Sequence, residues 1–178
     1  MKLTFSIMIL LFGLVSINDT ERSNYPTPPE SEGMLFYIQR NHNSNTIVYT
    51  ANFDEKGNLV EDKPVDVYWI RYEEDGRRME LRDIEKLFAY GVKSTKIETK
   101  ENKYKIKLVA DDERDFQLVQ EAPFKAVIYT LINNKPSRLK HLYIFADNSG
   151  FWPKVKYIEL FGEDSKTRKS CYEKRYTD

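Results

Sequence analysis

The chain has a single cysteine, Cys171, so no disulfide can form within it. It also lacks a basic excess, because 28 Lys and Arg residues balance 28 Asp and Glu residues. Nucleic-acid-binding proteins usually carry such an excess, since phosphate contacts supply most of their affinity. The composition therefore predicts a domain that its hydrophobic core stabilises, and it argues against nucleic acid as the partner.

Recognisable catalytic and cofactor motifs are lacking as well. The sequence contains no G-x-S-x-G nucleophile elbow and no glycine-rich phosphate loop. The two histidines, His42 and His141, are far apart and have no regularly spaced ligand partners. We therefore assign no catalytic residue, no metal site and no cofactor, and the sequence favours a protein that is not an enzyme.

Only one long apolar run is present, and it lies at the N-terminus. A positive charge at Lys2 precedes it, which is the pattern of a signal peptide. The run is shorter than the about 20 apolar residues that a membrane-spanning helix needs. We predict a signal peptide over residues 1–17, export to the periplasm or the extracellular space, and no membrane span after cleavage. An uncleaved N-terminal membrane anchor is the alternative, because the cleavage motif is weak.

A polar, proline-rich segment follows this run. Residues 18–33 show no apolar periodicity and contain Pro26, Pro28 and Pro29, so they predict a flexible linker. An ordered arm laid over the domain, anchored by Tyr25, is the alternative. Residues 34–178 are then a single β-rich domain, which is enough chain to bury a core.

Aromatic and β-branched residues are concentrated in short segments of this domain. Residues 34–40, 45–52 and 65–72 have strand composition and are separated by turn signals. The segment 65–72 is apolar on both faces, which predicts a central strand, whereas the charged segment 111–115 predicts a turn. We predict about eight antiparallel strands in a β-sandwich or a barrel-like domain, and the sequence does not choose between the two.

One segment has helical rather than strand periodicity. Leu81, Ile84, Leu87 and Phe88 recur at the spacing of one helix face. They predict one short helix over about residues 79–90, with this apolar stripe packed against the sheet. Gly91 follows directly and suits a left-handed C-terminal cap.

The candidate ligand site consists of aromatic and charged residues on predicted core strands. Arg71 shares a strand face with Trp69. If its guanidinium is buried, it needs a carboxylate partner, for which Glu159 is the candidate, or a bound anion. The alternative is an arginine at the end of the strand that reaches water. Binding pockets also favour aromatic side chains, although most strand aromatics belong to cores. The candidate ligand-binding residues are Tyr68, Trp69, Arg71, Tyr90, Trp152 and Tyr157.

Several unusual strings carry a family resemblance. They are LFYIQR at 35–40, NTIVY at 45–49, VYWIRY at 67–72, FAYG at 88–91 and KVKYIELFG at 154–162. With these strings the chain resembles an exported bacterial family known as domain of unknown function 4833, from about residue 34 to the final strand. The resemblance implies export and a single domain, and it transfers no activity and no catalytic residue.

These observations favour an exported envelope protein that acts as a non-enzymatic binding or interaction module. Its partner is then another envelope protein or a small ligand. The alternatives are a small-molecule carrier with a β-barrel cavity and an enzyme whose site is assembled from dispersed residues. An interaction module predicts an exposed apolar patch, whereas an enzyme predicts a cleft in which Arg71 or His141 meets a carboxylate.

Overall fold

The computed structural model describes residues 25–98, 102–109, 111–150 and 153–177. The predicted signal peptide, residues 1–17, lies outside them. A short helix α1 (Asp83–Glu85) runs directly into a π-helix (Lys86–Tyr90). The strands are β1 (Met34–Arg40), β2 (Asn43–Ala51), β3 (Val65–Ile70), β4 (Arg78–Glu80), β5 (Val92–Lys96), β6 (Lys103–Leu108), β7 (Asp111–Ala122), β8 (Lys125–Ile132), β9 (Lys135–Asp147), β10 (Lys154–Asp164) and β11 (Ser170–Tyr176).

All eleven strands belong to one sheet, in the order β4-β3-β2-β1-β9-β8-β7-β6-β5, and β10 and β11 branch from β9. The sheet curls into a half-barrel, so the prediction of a mostly β domain is confirmed, whereas the described residues do not form the two facing sheets of a sandwich. Every pair is antiparallel except β1 and β9, which are parallel. Pairing between strands so distant in sequence leaves no local turn signal, and the prediction of an entirely antiparallel domain was wrong for this reason.

Strand β9 divides the sheet into two wings. One of its edges pairs with β8 up to Arg138 and then with β1 from His141 onward. Its other edge pairs with β10 along almost its whole length. Strands β1–β4 therefore form a first wing and β5–β8 a second wing, which diverge from a fork on β9.

Aromatic stacking closes the two wings around a common core. Phe36 of β1 stacks on Tyr49 of β2, with ring centroids 4.3 Å apart, and on Phe116 of β7, with centroids 6.4 Å apart. All three side chains are buried. The inner residues of β3, including Trp69, belong to the same core, while Tyr68 and Ile70 pack on the outer face with Val48. The predicted burial of both faces of this strand is confirmed.

The sequence pattern predicts too few strands, because alternation of apolar and polar residues identifies only strands with a buried face. Strand β4 is fully exposed and β5 nearly so, and neither alternates apolar with polar residues. Residues 111–115, predicted as a turn, begin β7 instead. There Arg114 and Asp115 form ion pairs with residues of neighbouring strands, so charged side chains suit this strand end.

The predicted helix over residues 79–90 is also shorter and less buried than expected. Of its apolar stripe only Leu81 is buried, and the other members face outward. Gly91 does not form a left-handed cap, since its φ is −68°. It allows a close backbone approach instead, because a Cβ at this position would collide with the carbonyl group of Lys86.

The described part of the N-terminal segment, residues 25–33, lies on the outer face of the sheet. The carbonyl of Pro26 accepts a hydrogen bond from Gln39 Nε2 at 2.9 Å, and the ring of Tyr25 contacts that of Tyr143. Pro28 is buried. Residues 18–24 of the predicted linker lie outside the described residues, and its flexibility stays a prediction.

Candidate functional site

Two of the predicted site residues, Trp69 and Tyr90, meet at one end of the half-barrel core. Their rings contact edge to face, with centroids 5.3 Å apart. Arg40, at the end of β1, lies beside both: its Cζ is 5.3 Å from the Trp69 centroid and 5.9 Å from that of Tyr90. Arg40 Nη1 donates a hydrogen bond to the Tyr90 hydroxyl at 2.7 Å. A guanidinium held between two aromatic rings is stabilised by cation–π attraction.

Hydrogen bonds connect this cluster to strand β2 and to helix α1. The buried Tyr49 hydroxyl donates to the Tyr90 carbonyl at 3.0 Å, and Trp69 Nε1 donates to Glu85 Oε2 at 3.3 Å. Burial raises the pKa of Tyr90, although Arg40 opposes the effect. Partial burial works to raise the pKa of Glu85, but hydrogen bonds from Arg82 and Trp69 outweigh it and hold the pKa below its usual range. Tyr90 is thus a neutral phenol and Glu85 an anion, and together they attach the helical segment to the core.

Arg71 lies at the edge of the core, with its side chain partly exposed. Its guanidinium forms two hydrogen bonds to Glu74 Oε1, at 3.0 and 2.8 Å, in an exposed turn. Hydrogen bonding to Arg71, and the nearby charge of Arg77, lower the pKa of Glu74. The predicted partner Glu159 is buried on β10, where it accepts a hydrogen bond from Tyr172. The expected Arg71–Glu159 pair was wrong, because the turn after β3 supplies a closer carboxylate.

The other candidates that the structure describes do not join the cluster. Tyr68 points to the opposite face of β3, where the Arg78 Cζ lies 3.7 Å from its ring centroid. Tyr157 lies on β10, stacked on Phe145 and covered by Lys174. Trp152 lies outside the described residues. The structure therefore brings together only Trp69 and Tyr90, with Arg71 on the margin of the indole.

Sequence reasoning missed Arg40, although a signal for it was present. In β1 the side chains of Phe36 and Ile38 face the core, and Arg40 follows them in the same alternation. A charged residue at the end of a buried strand face is the pattern that singled out Arg71. The parallel neighbour β9, which no local pattern predicts, is what encloses this end of β1.

The most exposed apolar side chains of the helical segment are Ile84, Leu87 and Phe88, at 61%, 66% and 71% of full exposure. We call these three residues the apolar lip. They are the stripe that the sequence predicted to be packed against the sheet. Because Tyr90 and Glu85 attach the segment to the core by its other side, the lip faces outward.

An apolar groove runs beside the lip, between β3 of the first wing and β5 of the second. Its volume is about 440 Å³, and we call it the seam groove. Its apolar lining consists of Val65, Val67, Leu87, Val92 and Val109. Lys63, Lys86 and Lys93 stand at its margin, together with Asp66 and Asp83. The lip and the seam groove thus form one continuous apolar surface at the open side of the half-barrel.

Among the described residues no cluster of three His, Cys, Asp or Glu side chains is placed to hold a metal ion. His141 is stacked between the rings of Tyr37 and Phe161, at centroid distances of 4.4 and 5.1 Å. No helix in the described ranges has the length and apolar character needed to cross a bilayer.

Comparison with known proteins gives one match. Searches of curated proteins and of solved structures found none. A family model described as "Domain of unknown function (DUF4833)" matches residues 36–174. This span runs from β1 into β11 and includes the Arg40–Trp69–Tyr90 cluster, the apolar lip and the seam groove. The chain therefore belongs to the DUF4833 family, as the strings at 35–40, 67–72 and 154–162 indicate.

Proposed function

We propose that this protein is an exported, non-enzymatic interaction module that binds another envelope protein through the apolar lip and the seam groove. The observation that carries the proposal is the outward exposure of Ile84, Leu87 and Phe88. Folded monomers rarely leave several large apolar side chains exposed together. Such side chains beside a groove therefore mark an interaction surface. Aromatic and apolar anchors of this kind supply most of the energy of protein interfaces.

The charges around the seam groove narrow the chemistry of the partner. Asp66 forms ion pairs with Lys63 at 2.6 Å and with Arg78 at 3.4 Å. Lys86 and Lys93 form no ion pair with any residue in the described ranges. A partner segment that places apolar side chains on the lip and a carboxylate near these two lysines fits the surface best, since opposite charges guide association.

The attachment of the lip to the core also favours binding. Helix α1 and the π-helix are attached to the core through Tyr90 and Glu85. Because Gly91 has no Cβ, its backbone can lie close to that of the π-helix. A surface that is ordered before binding loses less conformational entropy when the partner arrives. The interior of the half-barrel, by contrast, is filled by fully buried side chains such as Tyr49, Phe116 and Leu118. The proposal therefore places binding on the outside of the half-barrel.

A photo-crosslinking amino acid at position 88, in cells that produce the protein, tests this surface. We expect it to capture one defined envelope protein. Leu87→Ser in the same chain should reduce that capture at least about tenfold, as truncation of an interface anchor does. Leu87 is mostly exposed, so the substitution should leave the thermal midpoint of unfolding nearly unchanged.

The matched control places the crosslinker at position 131. Leu131 is also exposed, at 51%, but lies on β8, away from the lip. Equal capture from positions 88 and 131, or capture that survives Leu87→Ser, would contradict the proposed surface. Purification of the captured protein and direct titration with the isolated partner then give the affinity.

Export carries a separate prediction. The chain made in cells should be found outside the cytoplasm, with a mass that corresponds to cleavage near residue 17. Leu10→Arg, which places a charge in the middle of the apolar run, should leave the uncleaved form inside the cell. Mass spectrometry of cell fractions decides between the forms. A full-length chain in the membrane fraction would indicate the uncleaved anchor, and a full-length cytoplasmic chain would exclude export.

A further inference from the structure

A second cavity lies at the fork on β9, on the side of the molecule that the N-terminal segment covers. Its volume is about 510 Å³, and we call it the fork cleft. Residues 27–31, the first half of β1 and the middle of β9 line it. It shares no lining residue with the seam groove. This volume lies within the usual range of small-molecule sites, about 300–1,000 Å³.

The fork itself explains why a cavity opens here. Pairing with β8 ends at Arg138 and pairing with β1 begins at His141, so the two wings separate beside residues 138–140. The first residues of β1, from Met34 to Phe36, lie along this gap and pair only with β2. The segment 27–31 then forms one wall, with Met34 N donating a hydrogen bond to the Ser31 carbonyl at 3.1 Å. The cavity is therefore a consequence of the sheet topology.

Two cations line this cleft. They are Arg138 and Lys140, which are two residues apart on β9. The backbone of Arg138 is paired within the sheet, but its side-chain Nε is shielded from solvent and has no hydrogen-bond partner among the residues that the structure describes. Lys140 has one carboxylate neighbour, Glu163, at the long distance of 3.8 Å.

A carboxylate that interacts with the charge of Arg138 is already engaged by other residues. The charge of Arg138 contributes to lowering the pKa of Glu121. Glu121 already forms an ion pair with Lys125 at 3.2 Å and accepts a hydrogen bond from the Tyr129 hydroxyl at 3.2 Å. Glu30 is the one acidic residue in the lining of the cleft. A guanidinium N–H that is removed from water without an acceptor is costly, and an anion is the natural acceptor for it.

Neutral donors complete the lining. Thr27, Ser31 and Tyr37 carry hydroxyl groups, and the side chains of Thr27 and Tyr37 are hydrogen-bonded to each other. Burial raises the pKa of Tyr37, so its phenol stays protonated at neutral pH and can donate a hydrogen bond. Hydroxyl groups and a single carboxylate are the partners that a polyhydroxylated ligand needs, while the cations suit its charged end.

We propose that the fork cleft binds a small polyhydroxylated anion, whose carboxylate or phosphate group is held by Arg138 and Lys140. The ligand fills the gap between the wings and contacts the segment 27–31 on its other side. The site is independent of the apolar lip, so it can be tested without knowledge of the protein partner.

Isothermal titration calorimetry with gluconate, glucose 6-phosphate and glucose tests the site. We expect at least one of the two anions to bind, and neutral glucose to bind at least about tenfold more weakly. Gluconate as the better ligand assigns a carboxylate, and glucose 6-phosphate as the better ligand assigns a phosphate. Failure of both anions to bind, or equal binding of glucose, overturns the proposal.

A variant pair assigns the binding to the cleft. Arg138→Gln keeps most of the side-chain length and removes the charge, and it should weaken anion binding at least about tenfold. Lys154→Gln removes an exposed lysine of β10 that does not line the cleft, and it should leave the affinity unchanged. Equal effects of the two substitutions would show that only general charge attraction is measured, which overturns the proposal.

A measurement on the unaltered protein guards against misfolding of the variants. Titration with the better-binding anion should shift the backbone amide resonances of Ser31 and Lys140, while those of Phe88 and Val92 at the seam should stay in place. Shifts confined to residues outside the fork cleft would contradict the assignment.

Discussion

Replacement of Phe36 with alanine is expected to lower the free energy of unfolding by about 3–5 kcal/mol. Phe36 is 1% exposed and stacks on Tyr49 within its own wing and on Phe116 of the other wing. Removing the ring leaves a cavity at the point where the wings meet, and the flanking rings cannot collapse into it without moving whole strands. Since a domain is stable by about 5–15 kcal/mol, the variant should lose a large part of its stability.

The matched control is Phe88→Ala, which removes the same atoms from a side chain that is 71% exposed. Its effect on the free energy of unfolding should stay within about 0.5 kcal/mol. Urea unfolding followed by circular dichroism gives both values, and an unchanged dependence on urea shows that the two variants unfold like the parent. Similar losses at positions 36 and 88 would mean that the Phe36 side chain does not join the two wings.

The second large effect is expected for Glu173→Ala, which should lower the free energy of unfolding by about 2–3 kcal/mol. The carboxylate of Glu173, on β11, accepts hydrogen bonds from Arg114 Nη2 at 2.9 Å and from the backbone N–H of Asn133 at 2.6 Å. The side chains of Arg114 and Glu173 are only 12% and 19% exposed. Without this carboxylate, Arg114 loses its closest acidic partner in a poorly solvated position.

These contacts matter because β11 pairs with β10 alone. Its other edge is held by side chains, through Glu173 to Arg114 and through Asn133 Nδ2, which donates to the Tyr172 carbonyl at 2.6 Å. The Glu173→Ala variant should therefore show faster hydrogen exchange in β11, with less change in β1 and β2. Exchange that rises equally throughout the sheet would indicate global destabilisation rather than release of this strand.

Glu113→Ala provides the control for this experiment. Glu113 also joins β7 to β11, through Arg175 at 2.9 Å, but its side chain is 78% exposed. An exposed ion pair contributes at most about 1 kcal/mol. The comparison therefore separates the effect of burial from the effect of pairing itself, and equal losses for both variants would contradict the role given to Glu173.

The two proposed binding surfaces follow from different parts of the fold. The apolar lip exists because Tyr90 and Glu85 attach the helical segment by its polar side and leave Leu87 and Phe88 outside. The fork cleft exists because β1 and β8 share one edge of β9. A chain with the same strands in simple hairpin order would have neither the fork nor the gap between the wings.

The sequence alone was sufficient for the β character of the domain and for the family. Strand alternation is a local property, so β1, β2 and β3 are predictable from residues 34–72, and the burial of both faces of β3 follows from its composition. The aromatic strings at 35–40 and 67–72 carry the family because they combine rare residues in a fixed order. Of the six residues that the sequence named as candidate ligand-binding residues, Trp69 and Tyr90 are in contact in the structure.

Only the tertiary structure decided the rest. The parallel pairing of β1 with β9 joins residues about a hundred positions apart, and no local signal reports such a pairing. It encloses Arg40 and opens the cleft beside Arg138. The apolar stripe of residues 81–88 predicted a buried helix face, because periodicity shows which side chains share a face but not whether another element covers it. In this fold the sheet covers Leu81 alone, and the exposed remainder is the surface to which we assign the function.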